Sequence, residues 1–301
     1  MFARPEVVVL PVAGLSTRNL PATKAMHKGF LCLNNLPIIQ YAVDACAEAG
    51  VKEIVFIYSD DTNKSMYEHY FSPNKQLEER LLRSDKLELW EALKRTVPTG
   101  VKFSFACQPK PKGNGHAILC AKDIIGKRDF MVMWVDDVYV CRGKGILSQL
   151  LDVYERFGGM VENIIKFPKD QLSRYGVLTG AKQNGNVVAA TGVVEKPKLE
   201  QIESDFASMG PYVLPNLILD LLPEVTKGSN GEINLTDAIN LAARRGCPLH
   251  GVLANAERYD CGTNEELAKS NIRLSIRENK VLYEAAVKTI KHLDKQASPL
   301  R

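Results

Sequence analysis

The sequence predicts an α/β fold, a mixed and mainly parallel sheet with helices on both faces. Three observations predict it. Through the first half, apolar runs of strand length alternate with stretches of helical periodicity, an order that implies parallel pairing with helices packed on both sides. Three strand-like runs stop at residues with chemistry to offer, Gly14, Gln108 and Asp137, and in such sheets ligands gather at the carboxyl ends of the strands. The second half changes to shorter extended segments around Asn184-Gly185-Asn186, a hairpin signal.

Taken in order, residues 7–12 read as a buried strand and 38–49 as a helix stopped by Gly50. Glu53–Tyr58 is the next strand. Residues 75–96 form one long helix with Leu77, Leu81, Leu82, Leu87, Leu89 and Leu93 on its apolar side. Residues 102–106 are a strand, 115–124 a helix, and 130–134 a strand that runs into Asp136-Asp137. Residues 175–178 and 187–195 are strands around the hairpin turn, 211–214 are extended and 217–222 helical. Residues 235–245 are a helix capped by Asn234 or a neighbour, 248–255 a strand, and Asn264–Glu278 and 283–293 two closing helices. The tail 294–301 is polar and expected to fray. No repeat, low-complexity segment or linker interrupts this order, so one continuous sheet is expected in place of separable domains.

Composition narrows the function classes. The net charge of +4 is too weak, and the Lys and Arg too scattered, to argue for nucleic acid. No apolar run approaches the ~20 residues of a membrane span, so no membrane partner is expected. Seven cysteines with no C-x-x-C pair suit reduced, mostly buried thiols better than a disulfide framework. With a strand starting almost at once, no leader is expected before it. The expectation is a soluble cytoplasmic protein.

The first thirty residues carry the strongest chemical signal. The strand ends in Ala13-Gly14-Leu15-Ser16-Thr17-Arg18, followed by Lys24 and Lys28. A glycine that permits positive φ and close backbone approach lets loop amides converge on phosphate oxygens. Arg18 adds a planar fork for phosphate and Lys28 a mobile point charge.

Further motifs are Lys112-Gly113-Asn114-Gly115-His116-Ala117, Asp137, Val194-Glu195-Lys196-Pro197-Lys198, Leu235-Thr236-Asp237-Ala238 and Asp260-Cys261-Gly262. With the N-terminal loop, their order and spacing resemble the bacterial UTP–glucose-1-phosphate uridylyltransferases, a branch of the sugar nucleotidyltransferases, over residues 7–268. The resemblance implies a Rossmann-like three-layer sandwich with added β elements for the sugar, in a single domain. Its nucleotide half would run to about residue 140, its sugar half from about 141 to 263, and its C-terminal helices over about 264–293. It implies Mg²⁺ as cofactor, UTP and glucose 1-phosphate as substrates, and a homo-oligomer, a dimer or tetramer.

By motif position, the resemblance implies Arg18 and Lys28 on the triphosphate and the leaving pyrophosphate. Ala13, Gly14, Leu15, Ser16 and Thr17 would hold the nucleotide, with Gln108, Gly113 and Gly115 at the base. A Gln amide carries donor and acceptor, as a uracil edge requires. Glu195 would accept from sugar hydroxyls and Lys196 would bind the sugar phosphate, with Tyr175, Gly176 and Gly210 lining the pocket. Asp137 and Asp260 match the metal-binding carboxylates. His116 is read as structural support, and Asp136 as an acid without an assigned role.

Two departures stand out. Ser16 replaces the third glycine of the usual G-L-G-T-R, and His27-Lys28-Gly29-Phe30-Leu31-Cys32 stands where the family reads P-K-E-M-L-P. Losing the prolines and gaining glycine is expected to loosen the segment that positions Lys28. These departures leave two alternatives open. One is a catalytically weak regulatory paralogue that binds nucleotide sugar or an active relative. The other is an enzyme for another nucleotide or sugar 1-phosphate.

Overall fold

The computed structural model describes residues 1–225 and 231–296. Its strands are β1 (Val7–Pro11), β2 (Cys32–Leu33), β3 (Leu36–Pro37), β4 (Glu53–Tyr58), β5 (Lys102–Cys107), β6 (Phe130–Val132), β7 (Asp137–Cys141) and β8 (Met160–Lys166). They continue with β9 (Gly176–Thr179), β10 (Lys182–Asn184), β11 (Val187–Ala190), β12 (Gly192–Glu195), β13 (Phe206–Leu214), β14 (Leu249–Val252) and β15 (Ala256–Asp260). The main sheet runs β10-β11-β14-β8-β13-β6-β1-β4-β5, with β9 added on β13 and β12 on β9. β6, β1, β4 and β5 are parallel to one another, and β14 is parallel to β8. β13 runs antiparallel to both β6 and β8 and joins these two blocks. This is the mixed, mainly parallel sheet with helices on both faces that the sequence predicts.

The run Val7-Val8-Val9-Leu10 is wholly buried, as a central parallel strand requires. Alternation divides it between two cores. Val7 and Val9 pack with Ile118, Leu219, Leu235 and Ile239, whereas Val8 and Leu10 pack with Ile39, Val43, Leu147 and Leu151. Helices on opposite faces thus give three layers.

Several elements differ from the sequence reading. The helix Ile146–Phe157 and the strand β8 occupy a stretch to which no element was assigned, as does the helix Asp61–Tyr70. Residues 187–195 are not one strand: the chain breaks at Thr191, so that β11 pairs with β10 and β14 while β12 pairs with β9. The long helix at 75–96 is two, Lys75–Arg83 and Leu87–Arg95, separated where Asp85 takes φ 54°. Its leucines are not core: Leu77, Leu82, Leu87 and Leu89 are exposed. The helix expected at 115–124 is likewise split, into Asn114–Leu119 and Lys122–Ile125. Residues 294–296 continue the last helix, Lys280–Gln296, and the rest of the predicted tail lies outside the described residues.

Candidate active site

Because β1, β4, β5 and β6 run parallel, their following loops emerge on one rim. Pairing persists past the strand ends, with Val12 N–H donating to Ile57 O, Gln108 N–H to Tyr58 O and Met133 N–H to Val9 O, at 2.8, 2.8 and 3.1 Å. Gly14, Gln108 and Asp136-Asp137 are carried there together, as the sequence predicts.

The loop after β1 is shaped by Ser16, not Gly14. Ser16 takes the left-handed conformation at φ 54°, while Gly14 is not in that region. Nothing lies within 4 Å of where a Gly14 Cβ would stand. The serine in the family's glycine place ties the loop down: its Oγ accepts from the Lys28 amide at 3.2 Å, and its carbonyl accepts from Thr23 Oγ1 at 2.8 Å. Leu15, Thr17 and Arg18 are exposed beside it. A cavity of about 340 Å³ opens here, lined by Gly14, Ser16, Lys24, His27 and Asp60 among others.

Lys28 Nζ sits 2.6 Å from Asp136 Oδ2, with Arg18 Nη2 at 3.8 Å from the same oxygen. Burial opposes ionisation of Asp136, but the Lys28 ammonium outweighs it and holds the carboxyl below its usual range. Asp136, without a role in the sequence reading, is the anchor of the two cations.

Asp137 and Asp260 face each other in the antiparallel ribbon of β7 and β15, directly opposite in register. Like charges so placed repel. Arg258 relieves the repulsion: Nε donates to Asp137 Oδ1 at 2.7 Å and Nη2 to Asp260 Oδ2 at 2.9 Å. Even so, burial lifts Asp137 to about 7, since Asp136 and Asp260 add to it and Arg258 only partly compensates. Asp260 Oδ1 accepts from the Gly262 amide at 2.8 Å, which fixes its rotamer. Arg258 was absent from the sequence reading. The signal for it is spacing, since residues two apart on a strand share a face and Arg258 lies two before Asp260.

Among the described residues no group of three or more His, Cys, Asp or Glu is arranged to hold a metal. Two facing carboxylates do fit a hard divalent cation that takes its remaining oxygens from phosphate and water.

Gln108 is buried and donates from Nε2 to Gly113 O and to His116 Nδ1, both at 3.0 Å. His116 thereby holds the Gln108 amide from within the loop. The glycines of this loop have a packing reason as well. A Cβ on Gly113, which has φ 100°, would stand 2.4 Å from Ile233 O, and one on Gly115 would stand 2.7 Å from Leu222 Cδ2. Ile233 donates to Lys112 O and accepts from the Gly115 amide. Asn234 holds the N-cap position of the helix Leu235–Arg244 but makes no side-chain capping bond; Asn114 Oδ1 accepts from the Leu235 amide at 2.8 Å in its place.

The predicted sugar residues gather on the β9–β12–β13 side. Gly176 pairs with Glu195 across β9 and β12, and a Cβ there would stand 3.3 Å from Glu195 Oε2. Lys196 takes φ 45°, a conformation that non-glycine residues rarely hold, with its amide bonded to Tyr175 O at 3.0 Å. Gly210 takes φ 69° where the β13 register shifts, and its carbonyl accepts from Tyr139 Oη and Asn163 Nδ2. Beneath this wall, Glu162 Oε2 accepts from Ser208 Oγ at 2.6 Å, and burial pushes its carboxyl up to about 7. Tyr175 shares a cavity of about 720 Å³ with Arg258 and Asp260; Glu195 and Lys196 do not line it.

A family model for nucleotidyl transferases matches residues 7–275. The UTP–glucose-1-phosphate uridylyltransferase of Komagataeibacter xylinus is 37% identical over 272 residues, covering 89% of this chain and 94% of its own length. That of Pseudomonas aeruginosa is 35% identical over 258 residues, covering 85% of this chain and 91% of its own. The UTP-bound UGPase from Acinetobacter baumannii matches the fold with a TM-score of 0.83 at 30% identity, over 98% of this chain and 100% of that one.

Proposed function

The chain belongs to the nucleotidyl transferase family and, within it, to the UTP–glucose-1-phosphate uridylyltransferases, and from that premise we propose that it makes UDP-glucose and pyrophosphate from UTP and glucose 1-phosphate. A sugar phosphate oxygen attacks the α-phosphorus in line. The new P–O bond forms as the bond to the oxygen bridging the β-phosphorus breaks, and pyrophosphate leaves with that electron pair. Both reactants are anionic, so the work of the chain is alignment and charge compensation.

Arg18 and Lys28 bind the triphosphate and meet the charge that grows on the departing pyrophosphate. Ala13, Gly14, Leu15, Ser16 and Thr17 hold the nucleotide, with Gln108, Gly113 and Gly115 at the base. Tyr175, Gly176, Glu195 and Gly210 hold the sugar, and Lys196 its phosphate. Asp137 and Asp260 would hold Mg²⁺, which when bound neutralises phosphate oxygens. Arg258 keeps the two carboxylates facing each other and draws one oxygen of each toward itself.

The observation that carries this reading is the pairing of Asp137 with Asp260, far apart in the chain, beside the Lys28–Asp136–Arg18 cluster. The division into a nucleotide half to about residue 140, a sugar half over about 141–263 and closing helices beyond is part of the same reading. So are a cytoplasmic location, consistent with seven unpaired cysteines, and a homo-oligomer. The oligomer is supported by exposed Ile272, Val281, Leu282, Tyr283 and Ile290 on the closing helices, and sedimentation of the purified chain tests it.

Pyrophosphate release from UTP and glucose 1-phosphate with Mg²⁺ tests the reaction. Sustained turnover, with dTTP and ATP poorer than UTP, is expected. A folded chain that releases no pyrophosphate overturns the reading.

A further inference from the structure

His27 has no assigned part in the reaction above, although it lines the same cavity as Gly14 and Ser16. It is 7% exposed, and its Nδ1 stands 3.1 Å from the Gly29 amide and 2.5 Å from the Tyr67 hydroxyl. An amide only donates, so Nδ1 is an acceptor and Tyr67 donates to it as well. The ring proton therefore sits on Nε2, which is buried and makes no well-formed hydrogen bond, with the Gly14 carbonyl the backbone group that acts on the ring. Such a ring is best kept neutral. Burial first, and the Lys28 charge second, lower its pKa to about 4 against the pull of the Gly14 carbonyl, Asp136 and Asp60.

Tyr67 is fixed in its turn. It is fully buried in the helix Asp61–Tyr70, between Phe30 and Phe56 at ring-centroid distances of 4.9 and 5.0 Å. Its oxygen stands 2.5 Å from the place that a Cβ on residue 29 would take. Only glycine fits opposite this tyrosine. The expected loosening at 27–32 is therefore not what the structure contains: His27 caps the turn Lys28–Phe30 through the Gly29 amide, and Ser16 Oγ holds the Lys28 amide from the other side. A backbone clamped on both sides directs a long, flexible side chain to Asp136 at 2.6 Å.

We propose that His27, locked by Tyr67 and admitted by Gly29, is the positioning residue that sets the Lys28 ammonium on the phosphate rim. The lock stands on geometry, and its catalytic consequence rests on the transferase reading. The two departures at 27 and 29 are then halves of one arrangement, completed by a tyrosine from a distant helix.

Kinetics and unfolding test the two parts separately. His27→Leu is expected to lower kcat roughly 10- to 100-fold, the cost of a small misplacement at a reacting group, with KM for glucose 1-phosphate within about 2-fold. His27→Asn, whose amide oxygen offers an acceptor near the Nδ1 position, recovers most of the loss. Added to Lys28→Met, His27→Leu costs nothing further. A wild-type kcat in His27→Leu, or a loss that adds in full to that of Lys28→Met, overturns the proposal. The lock is read without turnover by thermal unfolding. Gly29→Ala lowers Tm in the wild-type background but not in Tyr67→Phe, where the obstructing oxygen is gone. Equal losses in both backgrounds overturn it. Absent turnover in the wild-type chain sinks the transferase reading and leaves the lock to be judged on the unfolding cycle alone.

Discussion

The rim proposed for phosphate and the rim proposed for sugar hold most of their charges in opposite ways. On the rim assigned to phosphate, Lys28 and Asp136 are 17% and 18% exposed, Asp137 and Arg258 15% each, Asp260 29%, and each is bonded to another of the set, while Arg18, 67% exposed and 3.8 Å from Asp136, is the exception. On the sugar rim, Glu195 and Lys196 are 52% and 68% exposed, and the gap between their charged atoms is 3.9 Å. The first cluster is assembled before any substrate arrives, so its dipoles and charges need little reorganisation when phosphate binds. The second leaves its charges in water, free to be satisfied by the substrate. Substitutions on the first rim should therefore disturb folding stability as well as function, and those on the second should leave stability alone.

The sharpest break is Asp137→Asn. Removing one of two facing carboxylates should lower turnover roughly 10²- to 10³-fold, the scale of losing one placed electrostatic group, and steady-state pyrophosphate release measures it. If turnover survives, the Asp137–Asp260 pair has no part in the chemistry. Next, Lys28→Met should cost about 3 kcal/mol of folding stability, because it leaves the Asp136 charge largely buried and without its nearest partner. Chemical denaturation reads this.

Lys196→Ala sharpens the contrast from the other side. KM for glucose 1-phosphate should rise roughly 10- to 100-fold, the worth of a charged hydrogen bond, with no change in Tm, since an exposed pair contributes little to folding. A fall in Tm comparable to that of Lys28→Met would erase the distinction between the rims.

The most gradual expected effect is a pH dependence of opposite sign in the two halves. His27 is depressed to about 4, so the fold disfavours its proton. Its contribution is complete above the ordinary value near 6.5 and is lost as pH falls toward 4. Relative to His27→Asn, the wild type should lose about 1 kcal/mol between pH 6.5 and 5.5. Glu162 is raised to about 7, so the fold favours its proton. Glu162→Gln should gain on the wild type as pH rises from about 4.5 to 7, by a similar amount per pH unit. Unfolding midpoints across pH 5 to 8 measure both, and parallel curves for wild type and variants would contradict the assigned burial.

Much of the site was legible because it is local. The loop 13–18 follows a strand whose burial is written in four consecutive apolar residues, and Asp137 and Gln108 sit at or near the ends of similar runs. Periodicity places such residues on one rim without knowledge of any contact. What could not be read is equally specific. The helix Ile146–Phe157 and β8 were left unassigned although Ile146, Leu147, Leu150 and Leu151 hold helical spacing. The periodicity of residues 75–96 reads as one helix with a leucine side, but a residue in left-handed conformation at 85 breaks it. Asp136 had no role until Lys28 was placed 2.6 Å from it.

The sequence by itself determined the class of fold and the charged residues delivered to the rim at the strand ends, because strand period, glycine punctuation and motif order are properties of neighbouring residues. Tertiary structure alone decided that Arg258 bridges the two aspartates, that Ser16 and not Gly14 turns the loop, and that Tyr67 makes His27 and Gly29 a matched pair. Those outcomes depend on register and approach between segments far apart in the chain. A hydrogen bond or a 2.5 Å obstruction exists only once packing has brought its two sides together.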